Sequence, residues 1–221
     1  MTRTEYLQSL EQLRGDVVAM SSMVDKAISQ SIEALLKQDV LMAEEIIGRD
    51  QEINRQRWNI EGAALLIIAT QAPMASDLRN IAAAIHIVTD LERMADHAAG
   101  NAKIVVETAS EPLLKPLVDI PRMAEIARTM LNDAITSYIE QDTEAARLTA
   151  ERDDEVDALY DQIYRELLTY MLADPSTINR ATHLLWVAHN LERIADRVTN
   201  ICERVVFAAT GELTEINVST Y

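Results

Sequence analysis

The stretch LERMAD at residues 91–96 returns one hundred residues later as LERIAD at residues 191–196. A second acidic stretch, RDQEIN at 49–54, matches RDDEVD at 152–157 with an offset of 103 residues. Self-similarity at a fixed separation is the signature of an internally duplicated fold. The sequence therefore predicts two homologous halves of about a hundred residues each.

The spacing of apolar residues predicts helices almost throughout. Aliphatic side chains recur every three or four positions, and only five Gly and five Pro interrupt the 221 residues. We therefore predict an all-α fold of two tandem, homologous, antiparallel three-helix bundles. The six predicted helices cover residues 4–37, 41–71, 76–108, 118–140, 143–172 and 177–209.

The domain boundaries follow from the breaks in this pattern. Residues 110–116 contain two prolines and read as the linker between the bundles. We predict a first bundle over residues 1–109, a second over 117–210, and a loose C-terminal tail over 211–221.

Charge and composition limit the classes of function. A formal net charge of −16 repels nucleic acid and anionic membrane surfaces. The longest apolar run, residues 63–69, is far shorter than the roughly 20 residues that span a bilayer. With a single cysteine, Cys202, and a polar N-terminus, we expect a cytoplasmic protein that neither binds nucleic acid nor inserts into membrane.

Pairs of oxygen-bearing side chains are the chemical feature of both repeated stretches. Residues four apart lie on one face of a helix, so each pair points two such groups in the same direction. An antiparallel hairpin of the second and third helices would bring the two pairs of each half to a similar height. The pairs are Asp50/Asn54, Glu92/Asp96, Asp153/Asp157 and Glu192/Asp196.

These groups interrupt seams that are otherwise apolar, which favours a metal site. A partly buried carboxylate without a partner costs several kcal/mol, so facing carboxylates require a cation, a basic side chain or a shared proton. Oxygen ligands suit magnesium, manganese, calcium or iron, and zinc is possible. The alternative is a set of solvated or salt-bridged acids, paired with the adjoining Arg49, Arg93, Arg152 and Arg193.

Other reactive residues give little support for an enzyme. None of the histidines recurs in both halves, although His189 shares a helix face with Glu192 and Asp196. Cys202 falls on an apolar stripe and reads as a packing residue. No phosphate-binding loop or nucleophile motif is present, but a di-metal carboxylate enzyme of the helical-bundle type remains an alternative.

The sequence resembles the PhoU family over residues 5–212. The most specific elements are PMASDLR at 73–79, DLERMAD at 90–96, and NLERIAD at 190–196 followed by TNI at 199–201. The resemblance implies two three-helix bundles, each with a metal cluster held by Glu/Asp-x-x-x-Asp motifs.

On this resemblance, the family's metal ligands correspond to Glu92/Asp96, Asp153/Asp157 and Glu192/Asp196, while Asn54 replaces an acid of the fourth motif. An amide oxygen can coordinate a metal ion but brings no charge. The first-half site is therefore expected to bind metal more weakly, or to hold a different number of metal ions. In addition, Gly100 stands where the family pattern has the asparagine seen at Asn200. The metal is expected to be iron, zinc, manganese or magnesium.

The resemblance also implies a function. Members of the family are thought to connect the ATPase subunit of a phosphate ABC transporter with a sensor histidine kinase, and to keep phosphate-starvation genes off. We therefore expect a cytoplasmic, non-enzymatic negative regulator with these two partners, and a homodimer.

Overall fold

The computed structural model describes residues 3–216, and its regular structure is entirely helical. The predicted all-α fold is confirmed, and the predicted helix boundaries agree with the observed ones to within a few residues. The helices are α1 (Arg3–Lys37), α2 (Val40–Gln71), α3 (Ala75–Thr108), α4 (Asp119–Glu140), α5 (Thr143–Glu151), α6 (Asp153–Ala173) and α7 (Ile178–Thr210), with a single 3-10 turn at Pro175–Thr177 before α7.

Helices α5 and α6 together take the place of the fifth predicted helix. They are separated by one turn residue, Arg152, whose backbone stays near helical values (φ −74°, ψ −9°). Its N–H donates to the carbonyl oxygen of Thr149 at 3.2 Å. The interruption makes Asp153 the first residue of α6, whereas the equivalent Asp50 lies inside the unbroken α2.

The sharp turn after the first helix of each bundle is built from the same dipeptide. Gln38 and Gln141 adopt left-handed backbone conformations (φ 52° and 56°) that end α1 and α4. The next residue, Asp39 or Asp142, caps the following helix by accepting hydrogen bonds from its first backbone N–H groups at 3.0 Å. The repeated Gln-Asp pair thus fixes both hairpins.

The two bundles pack side by side, mainly along α3 and α7, with α1 against α4. One continuous apolar core runs through both bundles. Its largest fully buried side chains include Met20, Ile28, Ile60, Ile87, Leu91 and Leu131. Because the LERMAD and LERIAD stretches lie on α3 and α7, both acidic motifs flank this central contact.

Polar contacts cross the central contact at positions related by the repeat. Asp90 accepts a hydrogen bond from Arg197 at 3.3 Å, and its counterpart Asn190 donates to the buried Asn101 at 2.9 Å. A side chain at Gly100 would place its Cβ 3.2 Å from Asn190 Nδ2. The departure from the family pattern at Gly100 therefore makes room for the Asn190 amide.

Two segments outside the helices are held to the core. Residues 109–118 include the predicted linker, and its Leu114 packs against the core. In the predicted tail, Ile216 also packs on the core and its N–H donates to Glu203 Oε1 at 3.1 Å. Residues 217–221 of that tail lie outside the described residues. No helix within residues 3–216 combines the length and the apolarity that crossing a membrane requires.

Candidate metal centres

The hairpins bring the acidic pairs of each half together, as the repeat predicts. The α2–α3 site contains Asp50, Asn54, Glu92 and Asp96, and the α6–α7 site contains Asp153, Asp157, Glu192 and Asp196. Three of these carboxylates lie well inside the protein, with exposed fractions of 7% for Glu92 and 4% for both Asp153 and Glu192.

In the α2–α3 site the neutral amide interacts with its neighbouring acid. Asn54 Nδ2 donates to Asp50 Oδ2 at 3.1 Å. Arg93 donates to Asp96 at 3.3 Å on the other helix. Asp96 is therefore salt-bridged, as the alternative interpretation of the sequence predicts. Asp50, in contrast, has no basic hydrogen-bond partner.

Glu92 has a hydrogen-bond partner that the sequence did not predict. Arg57 Nη1 donates to Glu92 Oε1 at 3.1 Å, and Arg57 Nε donates to Glu61 Oε1 at 2.8 Å. Asp50, Asn54 and Arg57 follow one another at helical spacings of four and three, so all three lie on one face of α2. This helical spacing is the feature of the sequence that could have placed Arg57 beside the acidic site.

The α6–α7 site has a different set of neighbours. Arg193 donates to Asp196 at 3.0 Å, and its Nε lies 3.4 Å from Glu192 Oε2. His189 Nδ1 lies 3.5 Å from the same glutamate oxygen. His189 therefore borders the site, but its ring also packs edge-on against Trp186, with the ring centroids 5.6 Å apart.

Buried oxygens without hydrogen-bond partners occur in both sites. An unsatisfied buried carboxylate oxygen is costly, and a cation relieves that cost directly. These atoms fit a metal with hard oxygen ligands better than they fit solvated surface acids. They are Asp50 Oδ1, Glu92 Oε2, Asp153 Oδ1, Asp157 Oδ1 and Glu192 Oε2. Of these, Glu92 Oε2 and Glu192 Oε2 lie at ion-pair distance from an arginine Nε, 3.6 Å from Arg93 and 3.4 Å from Arg193.

The electrostatics of the α6–α7 site show an excess of negative charge. Burial and the neighbouring Asp157 raise the pKa of Asp153 to about 7. Burial and Asp196 likewise raise the pKa of Glu192 to about 7. In the α2–α3 site, burial and the Asp96 carboxylate raise the pKa of Asp50. Both sites therefore favour an added positive charge, whether a proton or a metal ion.

Both sites can be reached from solvent. A cavity of about 290 Å³ between α1 and α2 extends to Asp50, and Lys26 and Arg49 are among the residues that line it. A second opening of about 410 Å³ is lined by Asp196 and Arg193. A hydrated ion could therefore enter either site.

The side chains are not arranged as a finished coordination sphere. Within residues 3–216, no three His, Cys, Asp or Glu side chains are grouped closely enough to hold a metal ion. Arginines hold Glu92 and Asp96 in one site, and Asp196 in the other, by hydrogen bonds. The eight-residue ligand set thus stays a prediction that requires rotation of side chains.

Cys202 is placed as its position on the apolar stripe predicts. Its side chain is buried, and burial raises the pKa of the thiol to about 12. A thiol of such pKa is a poor nucleophile, so Cys202 serves in packing.

Comparison with known proteins identifies the family. The model of the PhoU domain matches this chain twice, over residues 17–105 and 120–205. The chain belongs to the PhoU family. Its two PhoU domains correspond to the two bundles, and the resemblance inferred from the sequence motifs is confirmed.

Similar PhoU proteins extend over almost the whole chain. A phosphate-specific transport system accessory protein PhoU homolog of Clostridium acetobutylicum is 40% identical over 98% of this chain and 100% of its own length. The PhoU homolog of Aquifex aeolicus is 44% identical over 93% of both chains. The crystal structure of PhoU from Pseudomonas aeruginosa superposes with a TM-score of 0.89 at 31% identity, covering 94% of this chain and 100% of that one.

Proposed function

We propose that this PhoU-family protein is a cytoplasmic, metal-binding adaptor that represses the phosphate-starvation response. It would link a phosphate ABC transporter, through its ATPase subunit, to a sensor histidine kinase. The proposal is supported by full-length similarity to accessory proteins of phosphate-specific transport and to a phosphate transport system regulatory protein from Streptococcus pneumoniae.

The observation that carries the metal part of the proposal is the set of buried carboxylate oxygens without hydrogen-bond partners. Asp153, Asp157, Glu192 and Asp196 would hold metal between α6 and α7, and Asp50, Asn54, Glu92 and Asp96 between α2 and α3. A bound ion would supply positive charge, neutralising the facing carboxylates. Each site would then hold two helices at a fixed distance from each other and shape the surface to which a partner protein binds.

We propose that the metal has a structural or partner-directed role. Facing carboxylates in a helical bundle can also activate oxygen or water, which keeps a di-metal enzyme as the second candidate. Metal-loaded protein should neither consume oxygen nor hydrolyse phosphate esters above a metal-free control. Turnover that is lost with Asp153→Asn would favour the enzyme instead.

Partner capture tests the adaptor role. Tagged protein is added to membrane extract from phosphate-replete cells, and we expect it to retain the transporter ATPase subunit and the sensor kinase. In a deletion strain, the wild-type gene should silence a phosphate-starvation reporter, and the double variant Asp153→Asn/Asp196→Asn should do so less well. Glu140→Gln on α4 is the control, because this carboxylate is exposed and belongs to neither acidic site. Failure to retain either partner would contradict the adaptor role.

We also propose that the protein is a homodimer. Exposed apolar side chains on α2, at Trp58, Leu65 and Leu66, are compatible with a further protein contact, since their exposed fractions are 60–62%. Light scattering should give twice the monomer mass, and a monomer mass at all concentrations would contradict the proposal.

A further inference from the structure

The two acidic sites differ in a residue that lies at equivalent positions of the repeat. Arg57 of α2 corresponds to Tyr160 of α6 at the offset of 103 residues that relates these helices. The guanidinium of Arg57 lies between two carboxylates, 3.1 Å from Glu92 Oε1 and 2.8 Å from Glu61 Oε1. A phenol at Tyr160 brings no positive charge to Glu192, the counterpart of Glu92.

The surroundings of this residue also differ between the halves. Glu61, which orients Arg57, is replaced by Tyr164 in the second half. Lys103 of α3 acts electrostatically on Asp50, whereas its counterpart in α7 is the acidic Glu203. The α2–α3 site therefore contains more fixed positive charge than the α6–α7 site.

The acids themselves increase the difference. In the first half, Asn54 contributes a neutral amide that donates a hydrogen bond to Asp50. In the second half, the same position is Asp157, whose Oδ1 is buried without a partner. In the second half, Arg193 alone contacts two of the four carboxylates, Glu192 and Asp196. In the first half, Arg57 and Arg93 contact Glu92 and Asp96, two of the three carboxylates.

We infer that Arg57 is the resident cation of the α2–α3 site, and that tight metal binding is confined to the α6–α7 site. The inference rests on the proposed metal-binding function and assigns unequal roles to its two sites. Arg57 holds the first bundle together without metal, and the second bundle depends on a bound ion for the same neutralisation. Arginine is suited to this role because it stays charged when partly buried and binds two acids at once.

Metal titration of the full-length protein tests the inference. Protein stripped with chelator is titrated with Mn²⁺, and bound metal is measured by calorimetry and by elemental analysis. Wild type should show one tight class of sites, and Glu192→Gln should weaken that class by about 10-fold or more, since it removes a charged ligand. The double variant Arg57→Gln/Glu192→Gln should gain a tight Mn²⁺ site between α2 and α3.

Matched variants separate the local effect from a change in net charge. Arg55→Gln removes the same charge from an exposed position of α2, and its Mn²⁺ affinity should stay within about 2-fold of wild type. The reciprocal variant Tyr160→Arg should weaken the tight class by about 10-fold, because it introduces the arginine that the second half lacks. Gln162→Arg, at an exposed position of the same helix, is its control.

A readout without metal checks the same role and shows whether the variants fold. In the presence of chelator, Arg57→Gln should melt at a lower temperature than Arg55→Gln, because Glu92 loses its hydrogen-bonded cation and keeps only the longer contact with Arg93 at 3.6 Å. Equal melting temperatures would overturn the role of Arg57. Equally tight Mn²⁺ binding at both sites of wild type would overturn the inference and leave the proposed function intact. Complete absence of Mn²⁺ binding would overturn both the inference and the metal part of the proposed function.

Discussion

The Asp90 carboxylate on α3 accepts a hydrogen bond from the Arg197 guanidinium on α7 at 3.3 Å, and this ion pair joins the two bundles. Asn200 also donates to Asp90, at 3.4 Å. The Asp90 side chain is largely buried, with an exposed fraction of 12%, whereas the Arg197 side chain is 39% exposed. The pair thus has one end in the interface and the other near solvent.

Removing Asp90 should loosen the contact between the bundles. We expect Asp90→Ala to lower the free energy of unfolding by about 1–2 kcal/mol, because Arg197 and Asn200 both lose their hydrogen-bond acceptor. The loss should not be larger, because solvent screens the partly exposed Arg197. Asp161→Ala, which removes an exposed acid paired with Arg165, should change it by at most about 0.5 kcal/mol. Urea unfolding curves measure both changes. A coupling near zero between Asp90→Ala and Arg197→Ala in a double-mutant cycle would contradict the assignment.

The metal-free protein should lose stability as pH rises towards neutrality. Asp153 and Glu192 have folded-state pKa values raised to about 7 by burial and by their acidic neighbours. Protonation of these two groups therefore stabilises the folded state. This stabilisation is complete below the ordinary pKa values of 3.8 and 4.5, and it is lost as the pH rises through about 7. In chelator, the melting temperature should fall between about pH 5 and about pH 8.

Neutral side chains at these two positions provide the control for the pH effect. The double variant Asp153→Asn/Glu192→Gln should show a flatter melting profile, since neither group ionises, while Glu140→Gln, at an exposed position of α4, should follow wild type. A double-variant profile with the same slope as wild type would show that Asp153 and Glu192 are ordinary solvated acids.

Metal removal should destabilise the protein most at neutral pH. Binding to the folded state alone adds about 2.7 kcal/mol when free metal is 100 times its dissociation constant. Protons compete with metal at the Asp153 and Glu192 carboxylates, so chelator should lower the melting temperature more at about pH 7.5 than at about pH 5.5. Elemental analysis should find ions in protein purified without chelator. Full metal content in the double variant Asp96→Ala/Asp196→Ala would exclude these ligands.

Two glycines should respond differently to alanine. Gly48 lies within α2 with open space around the position of an added Cβ, so Gly48→Ala should stabilise the protein by about 0.5–1 kcal/mol. At Gly100 the same Cβ would lie 3.2 Å from Asn190 Nδ2. Gly100→Ala should gain less or lose stability, because Asn190 is held by its hydrogen bond to Asn101. Thermal melts compare the two variants, and an equal gain at both positions would contradict the close contact at Gly100.

The sequence by itself determined the fold class, the duplication and, apart from the break at Arg152, the positions of the helices. Apolar spacing, the repeated Gln38-Asp39 and Gln141-Asp142 turns and the Pro-containing linker are local signals, and each depends only on residues a few positions apart. The sequence also predicted that the acidic pairs of each half lie at a similar height on neighbouring helices, and the electrostatic interactions of Asp50 with Asp96 and of Asp153 with Asp196 agree with this prediction. Helices of known length joined by short turns leave one arrangement for the hairpin.

The tertiary structure alone decided how each acid is neutralised. Side-chain contacts between helices depend on rotamers and on the rotation of one helix against its neighbour, and a single sequence fixes neither. The adjoining Arg93 and Arg193 pair with acids of their own motifs, as the alternative interpretation of the sequence allowed. Arg49 and Arg152 instead contact residues outside the acidic sites.

Arg57 is the clearest case of a residue whose partner the sequence does not reveal. The residue lies on the same face of α2 as Asp50, but its partner Glu92 is 35 positions away on another helix. Only packing of α2 against α3 brings the guanidinium to that carboxylate. The repeat makes the two halves alike in backbone, and the electrostatic difference between their sites arises from contacts that form after the helices have packed.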